Sequence, residues 1–107
     1  MPVLENNQML TCSDITCELA NFSLGGLGIN SPVYWGRKTV IEVSFVDEKV
    51  SEKLKDDFIS PFQVEIVWGI KIGRNKFRHG VKIVGLSKKQ LWKLNNTFRL
   101  ACLNLSA

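Results

Sequence analysis

The sequence has no long hydrophobic run, few cysteines and a single histidine, and each shortage excludes a class of protein. No apolar segment approaches the roughly 18 residues of a membrane-spanning helix, so we expect no membrane insertion. No basic segment precedes an apolar stretch near the amino terminus, so we expect no secretory signal. The three cysteines cannot all pair within the chain and lack metal-ligand spacing, which predicts a reduced, cytoplasmic protein without a metal site.

Each end of the chain lacks charges of one sign. Residues 67–107 contain nine Lys or Arg but no Asp or Glu, whereas residues 1–36 contain no Lys or Arg. The net charge of +4 therefore conceals a basic carboxyl-terminal part, which favours an anionic partner or serves only solubility. A length of 107 residues with 45% hydrophobic residues is typical of one globular domain with one core.

Residues for catalysis are also scarce. His79 falls on the apolar side of a predicted strand, where a core histidine is the usual explanation. Cys17 and Cys102 have no histidine at a spacing that suggests activation, and they are predicted to be small core residues. No phosphate-loop or dinucleotide fingerprint is present. We therefore expect no catalytic residues, no cofactor and no enzymatic activity.

Apolar and polar residues alternate in several runs, which is the pattern of half-buried strands. In the longest run, one face is predicted to carry every second residue from Phe62 through Trp68 to Ile72. The turn 73–76 between the last two runs predicts an antiparallel hairpin. The alternating runs are residues 14–20, 38–46, 61–72 and 77–84.

Two segments show no strand pattern. Residues 1–12 lack periodicity and are predicted to form a flexible amino-terminal arm, before a single domain over residues 13–107. Residues 47–60 are charged and contain few apolar residues, which predicts an exposed loop with at most a marginal helical turn.

A helical period replaces the alternation near the carboxyl terminus. Ser87 and Gln90 form a capping-box pattern, and the helix is predicted over about residues 87–104. A small sheet with one apolar face and unpaired edges is expected to close into a barrel, which the helix then covers. The sequence therefore predicts a mainly β fold, a small antiparallel β-barrel of the six-stranded type with a carboxyl-terminal helix. The apolar stripe of the helix comprises Leu91, Leu94, Phe98, Ala101 and Leu105.

A glycine-rich turn between a strand ending at Ala20 and the extended piece 27–29 carries the strongest functional signal. Asn21 and Ser23 are short polar residues that can bind a base edge or a phosphate, and Gly26 leaves room for a ligand to approach the backbone. Backbone N–H groups of Leu24 and Gly25 could help to hold an anion. The alternative is that the polar side chains merely close a tight turn.

In these residues the sequence resembles the PilZ family, whose members are small β-barrels that bind the bacterial second messenger cyclic di-GMP. Asn21, Ser23 and Gly26 match the family motif of an acid or Asn, any residue, Ser, two residues and Gly. The strands and helix that follow occur in the family order, so the resemblance covers about residues 14–104. It implies a PilZ-like barrel that binds cyclic di-GMP through Asn21, Ser23, Leu24, Gly25 and Gly26 and relays the signal to a protein of bacterial signalling, motility, pilus or biofilm systems.

The sequence departs from the family at one place. Family members carry a pair of arginines, spaced four apart, before the first strand, and the matching region from Glu5 to Thr11 contains no basic residue. Arginine grips guanine edges and phosphates in a bidentate manner, so its loss weakens the expected binding by orders of magnitude. Arg37, Arg74 or Arg78 could compensate if the fold brings one of them beside the turn.

Two other functions stay open. The first is a degenerate PilZ-like adaptor that does not bind cyclic di-GMP and acts through protein contacts or as a homo-oligomer, with Trp92 on the basic helix as a candidate interface residue. The second is a nucleic-acid binder that uses the basic carboxyl-terminal half, where Phe77 alternates with Arg78. We expect the latter to be the less favoured, because Phe77 falls on the core-facing side of its strand.

Overall fold

The structure is a computed structural model that describes residues 8–102. Six antiparallel strands form a closed barrel in the order β1-β2-β3-β6-β5-β4, and this confirms the predicted fold class. A short helix connects β4 to β5, and a longer helix follows β6. The elements are β1 (Met9–Cys12), β2 (Ile15–Ser23), β3 (Gly26–Ser31), β4 (Val40–Phe45), α1 (Glu48–Asp56), β5 (Phe62–Gly73), β6 (Lys76–Val84) and α2 (Lys88–Cys102).

The core lies inside the barrel and beneath α2. In β4 and β6 alternate residues point inward, as the period-two pattern predicts. Phe98 of α2 is fully buried, with its ring centroid 5.3 Å from that of Phe22 and 5.2 Å from that of Phe45. Leu94 is buried one turn earlier, so α2 covers the barrel by its predicted stripe. Leu105 and the predicted last turn at 103–104 lie outside the described residues.

The start of α2 confirms the capping box. The Ser87 hydroxyl accepts from the Gln90 backbone N–H (3.2 Å), and the Gln90 side chain accepts from the Ser87 backbone N–H (2.9 Å). Two backbone donors at the helix end are thereby satisfied.

The prediction of a flexible arm through residue 12 is wrong for its last four residues. Met9–Cys12 form β1, which pairs with both β2 and β4 and thus closes the barrel. Leu10 and Cys12 are fully buried in the core. Four residues are too few to display a period, and their strand pairing depends on partners distant in sequence. Residues 1–7 of the predicted arm lie outside the described residues.

The prediction of an exposed loop over 47–60 is also wrong, because its centre is α1. The Asp47 side chain caps this helix by accepting from the Val50 backbone N–H (3.0 Å). Leu54 and Ile59 are buried and anchor the segment to the core. With the partly buried Val50, three apolar residues are thus enough to pack a charged segment on the core, although they are too sparse to form a pattern in the sequence.

The face predicted for the long strand changes halfway along β5. Ile66 pairs with Val81 and Trp68 pairs with Gly80, so Val67 is an extra residue in a β-bulge. A bulge shifts the alternation by one residue. Phe62, Val64 and Ile66 therefore face the core as predicted, but Trp68, Ile70 and Ile72 are exposed.

His79 is a buried core histidine, as its apolar register predicts. Its Nε2 accepts a hydrogen bond from the Trp35 backbone N–H (3.0 Å), and its ring packs against Trp35 and Tyr34 at centroid distances of 5.3 and 5.6 Å. Burial holds the pKa of His79 below its ordinary value of 6.5. The folded barrel therefore favours the neutral ring.

This burial makes stability depend on pH. The unfolded chain takes up a proton at His79 near pH 6.5, whereas the folded chain takes it up only at lower pH. The contribution of His79 to the free energy of unfolding should therefore be fully present above pH 6.5 and be lost progressively below it. One proton accounts for a slope of at most about 1.4 kcal/mol per pH unit. We expect His79→Gln, which keeps an acceptor for Trp35, to lose this slope in urea unfolding between about pH 7 and pH 5. Equal slopes in both proteins would contradict the assignment.

Candidate functional site

The motif residues lie in two paired strands and in the turn that joins them. Asn21 and Ser23 belong to the end of β2, and Gly26 begins β3. Only Leu24 and Gly25 form the turn, and Gly25 has a positive φ of 87°, which favours glycine. The prediction that the strand ends at Ala20 is therefore wrong, because β2 continues for three more residues.

A second β-bulge turns the motif side chains outward. Leu19 pairs with Ile29 and Asn21 pairs with Gly28, so Ala20 is an extra residue on β2. Without this bulge Asn21 would share the inward face of Leu19. With it, Phe22 enters the core, and Asn21 and Ser23 lie on the outer surface of the barrel.

Two glycines and two larger side chains form one row across four strands. Asn21 of β2 is opposite Gly28 of β3, Gly28 is opposite Gly80 of β6, and Gly80 is opposite Trp68 of β5. A Cβ added to Gly28 would lie 2.9 Å from the Asn21 amide carbon, and one added to Gly80 would overlap the Trp68 indole. The Asn21 amide and the Trp68 ring thus lie over the glycines.

The result is a shallow cleft of about 230 Å³ on the outside of the barrel. It combines an amide, a hydroxyl and an aromatic ring over a floor of glycine backbone, which suits a flat polar ligand. The sequence prediction placed Asn21, Ser23 and Gly26 together, and the structure brings all three into this cleft. The lining residues are Asn21, Ser23, Gly26, Leu27, Gly28, Val67, Trp68, Gly80 and Val81.

One lysine stands in the next row of the same surface. Lys82 of β6 is opposite Gly26 on one side and Glu65 of β5 on the other. Its side chain is exposed, and it makes no salt bridge within the described part of the chain. Because Gly26 is opposite both Ser23 and Lys82, these two residues flank the same glycine, although Lys82 does not line the cleft itself.

Of the three candidate arginines, Arg78 lies on the same face as the cleft, one row beyond Gly80. Its Nε donates to the Asn30 side chain (2.8 Å), and Asn30 donates in turn to the Glu18 carboxylate (3.2 Å). These bonds hold the guanidinium group beside the cleft, where it does not line the floor. A rotation of Arg78 toward a ligand would cost the bond to Asn30.

The other predicted contacts lie elsewhere. Arg74 lines a separate pocket of about 280 Å³ between the turn of the β5–β6 hairpin and strands β1 to β3. Arg37 is exposed in the connection between β3 and β4 and does not line the cleft. Leu24 and Gly25 lie at the adjacent turn, and Trp92 is 59% exposed on α2.

The sequence interpretation missed Trp68, Gly28 and Gly80 as site residues, and it placed Lys82 only on the outer face of its strand. Strict alternation placed Trp68 in the core, because nothing in the local pattern marks the bulge at Val67. The glycines did carry a signal, since glycine within a strand often marks a close approach of another group. The sequence does not show that Gly28 and Gly80 are neighbours, because this depends on the pairing of β3 with β6.

The cysteines of β1 and β2 behave as core residues. Cys12 and Cys17 are free thiols buried in the barrel. The neighbouring thiol of Cys17, together with burial, raises the pKa of Cys12, which stays protonated. Within residues 8–102 no three His, Cys, Asp or Glu side chains are grouped to hold a metal ion. The absence of enzymatic activity stays a prediction.

Comparisons with protein-family models, with curated proteins and with solved structures found no match. The described part of the chain also contains no helix that is long and apolar enough to cross a membrane. The functional assignment therefore depends on the motif residues and on the cleft that they line.

Proposed function

We propose that this protein is a cytoplasmic PilZ-type signalling module that binds cyclic di-GMP in the cleft and relays its presence to a bacterial motility, pilus or biofilm protein. The observation that carries the proposal is that Asn21, Ser23 and Gly26 share one concave surface with an exposed tryptophan. A ligand that combines purine bases with phosphates matches that set of groups.

Each group in the cleft has a role suited to part of this ligand. The Trp68 indole provides a stacking surface for a purine, worth about 1–3 kcal/mol per base. The Asn21 amide both donates and accepts, so it can pair with the edge of a guanine. The Ser23 hydroxyl in the cleft and the exposed Lys82 beside it, on the other side of Gly26, suit a phosphate.

Lys82 and Arg78 supply the positive charge that the missing arginine pair would otherwise provide. Both lie on the outer surface of β6, one row on either side of Gly80. Lys82 is a point charge without the bidentate fork of arginine, so it offers less geometric fit and fewer hydrogen bonds. Arg78 has the fork, but its Nε already donates to the Asn30 side chain. We therefore expect binding in the micromolar range rather than tighter.

The direct test is isothermal titration with cyclic di-GMP at physiological salt. We expect Asn21→Ala and Ser23→Ala to weaken binding about tenfold each, since one lost hydrogen bond to a charged or polar group costs about 1.5 kcal/mol. Matched controls are Asn96→Ala on the exposed face of α2 and Ser44→Ala on β4, opposite Thr11. Both controls should bind as the unsubstituted protein does.

The same titration separates the alternatives. No heat at millimolar ligand would reject the proposal and favour the adaptor that works through protein contacts, for which the exposed Trp92 is the supporting observation. Binding that survives both Asn21→Ala and Ser23→Ala would place the ligand elsewhere. A titration with single-stranded oligonucleotide tests the hypothesis of a nucleic-acid binder. The structure disfavours that hypothesis, because the Phe77 ring packs on Tyr34 at a centroid distance of 5.8 Å and is not free to stack on a base.

A further inference from the structure

Among the described residues, the second half of β5 has one edge without a strand partner. β4 pairs with β5 only as far as Glu65. The connection before β4 extends this contact by one residue, because Ile66 donates to the Thr39 carbonyl and accepts from the Lys38 backbone N–H, both at 2.8 Å. Beyond Ile66, β6 covers one edge as far as Gly73. Within residues 8–102, no strand pairs with the other edge of Val67–Gly73.

This edge is apolar and exposed, unlike the protected edges of most sheets. Val67, Trp68, Ile70 and Ile72 are all exposed, and Lys71 is the single charged residue between them. Sheet edges are usually protected by several charges, by proline or by a covering segment. An open edge with four exposed apolar residues is therefore suited to pairing with another strand.

We propose that a second copy of this chain covers the edge by antiparallel pairing of β5 with β5 about a two-fold axis at Ile70. In this register Ile70 is opposite Ile70, and Trp68 of one copy is opposite Ile72 of the other. Lys71 is then opposite Gly69, which has no side chain of its own and carries the Tyr34 ring beside it. An axis at Lys71 would instead oppose two lysines, which is destabilising.

The position of the axis also matches the length of the open edge. Pairing about Ile70 places Val67 opposite Gly73, so the paired segment covers the whole open edge. It stops beside Ile66, whose backbone is already hydrogen-bonded to Lys38 and Thr39. The Trp68 indole lies over Gly80, toward β6, and leaves the edge backbone free. The pairing is self-complementary, as a two-fold interface requires. It needs no nucleotide in the cleft.

Sedimentation equilibrium over a range of concentrations tests this interface. A ladder of about seven residues lies at the small end of specific interfaces, so we expect a dimer that dissociates on dilution. Ile70→Lys and Ile70→Glu each place like charges opposite one another at the axis, and each should weaken dimerisation at least tenfold. An equimolar mixture of the two variants should restore a dimer, because unlike charges then meet.

The matched control is Leu100→Lys, since Leu100 and Ile70 are both 55% exposed and Leu100 lies on α2. This control should dimerise as the unsubstituted protein does. A chain that stays monomeric at millimolar concentration would overturn the proposal. So would a dimer that Ile70→Lys leaves intact, or one that Trp92→Lys dissociates.

Hydrogen exchange on the unsubstituted protein gives a test that no folding defect can affect. Amide exchange within residues 67–73 should slow at least severalfold between a dilute and a concentrated sample, because the edge N–H groups become paired. Amides of α2 should exchange at the same rate in both samples. Protection that rises on α2 and not on β5 would place the interface on the helix and overturn the proposal.

Discussion

Replacing Phe98 with alanine should lower the free energy of unfolding by about 3–5 kcal/mol, a large part of the stability of a domain this size. The Phe98 ring is fully buried and packs between Phe22 and Phe45, so it joins α2 to two strands of the barrel. Its removal leaves a cavity that a closed barrel cannot readily collapse. Urea unfolding followed by circular dichroism measures the change.

The control is another phenylalanine outside the core. Phe58 is 86% exposed after α1, and Phe58→Ala should change the free energy of unfolding by less than about 1 kcal/mol. A cost for Phe98→Ala no greater than that of the control would mean that α2 does not close the barrel in solution.

The barrel was predictable wherever the chain carries its own signal. The period-two runs located four of the six strands, and Ser87 with Gln90 located the start of α2. β1 was not predictable, because four residues contain too little periodicity and their pairing depends on β2 and β4. α1 was missed for a related reason, since tertiary contacts of Leu54 stabilise a segment whose composition resembles a loop.

Half of the site could be predicted from the sequence, and the β-bulge at Val67 concealed the other half. The motif identified Asn21, Ser23 and Gly26 from local sequence alone. Trp68 enters the same cleft only because the extra residue Val67 reverses the face of β5. A one-residue insertion in a ladder has no signature in single-sequence alternation, so the pattern assigned Trp68 to the core. The cleft is therefore a product of strand pairing rather than of any one segment.

Replacing Gly80 with alanine should disrupt the cleft by displacing the Trp68 indole that lines it. The added Cβ would overlap the Trp68 ring, which must swing away, while the Gly80 backbone itself suits any residue because its φ is not positive. We expect a loss of about 1–3 kcal/mol in stability from this overpacking. Under the proposed function, loss of the stacking surface should weaken the binding of cyclic di-GMP by about fivefold to 150-fold, as measured by isothermal titration.

A double variant separates this steric effect from a general loss of folding. Trp68→Ala removes the ring that Gly80→Ala displaces, so the combined variant should be no less stable than Trp68→Ala alone. Gly36→Ala is the matched glycine control, because the nearest atom to its added Cβ is the Thr39 hydroxyl at 3.9 Å. If the two losses of stability are additive in the double variant, the Cβ added at position 80 contacts something other than Trp68. Relief of the loss by Trp68→Ala would instead establish the contact of indole and glycine on which the cleft depends, whether or not cyclic di-GMP binds there.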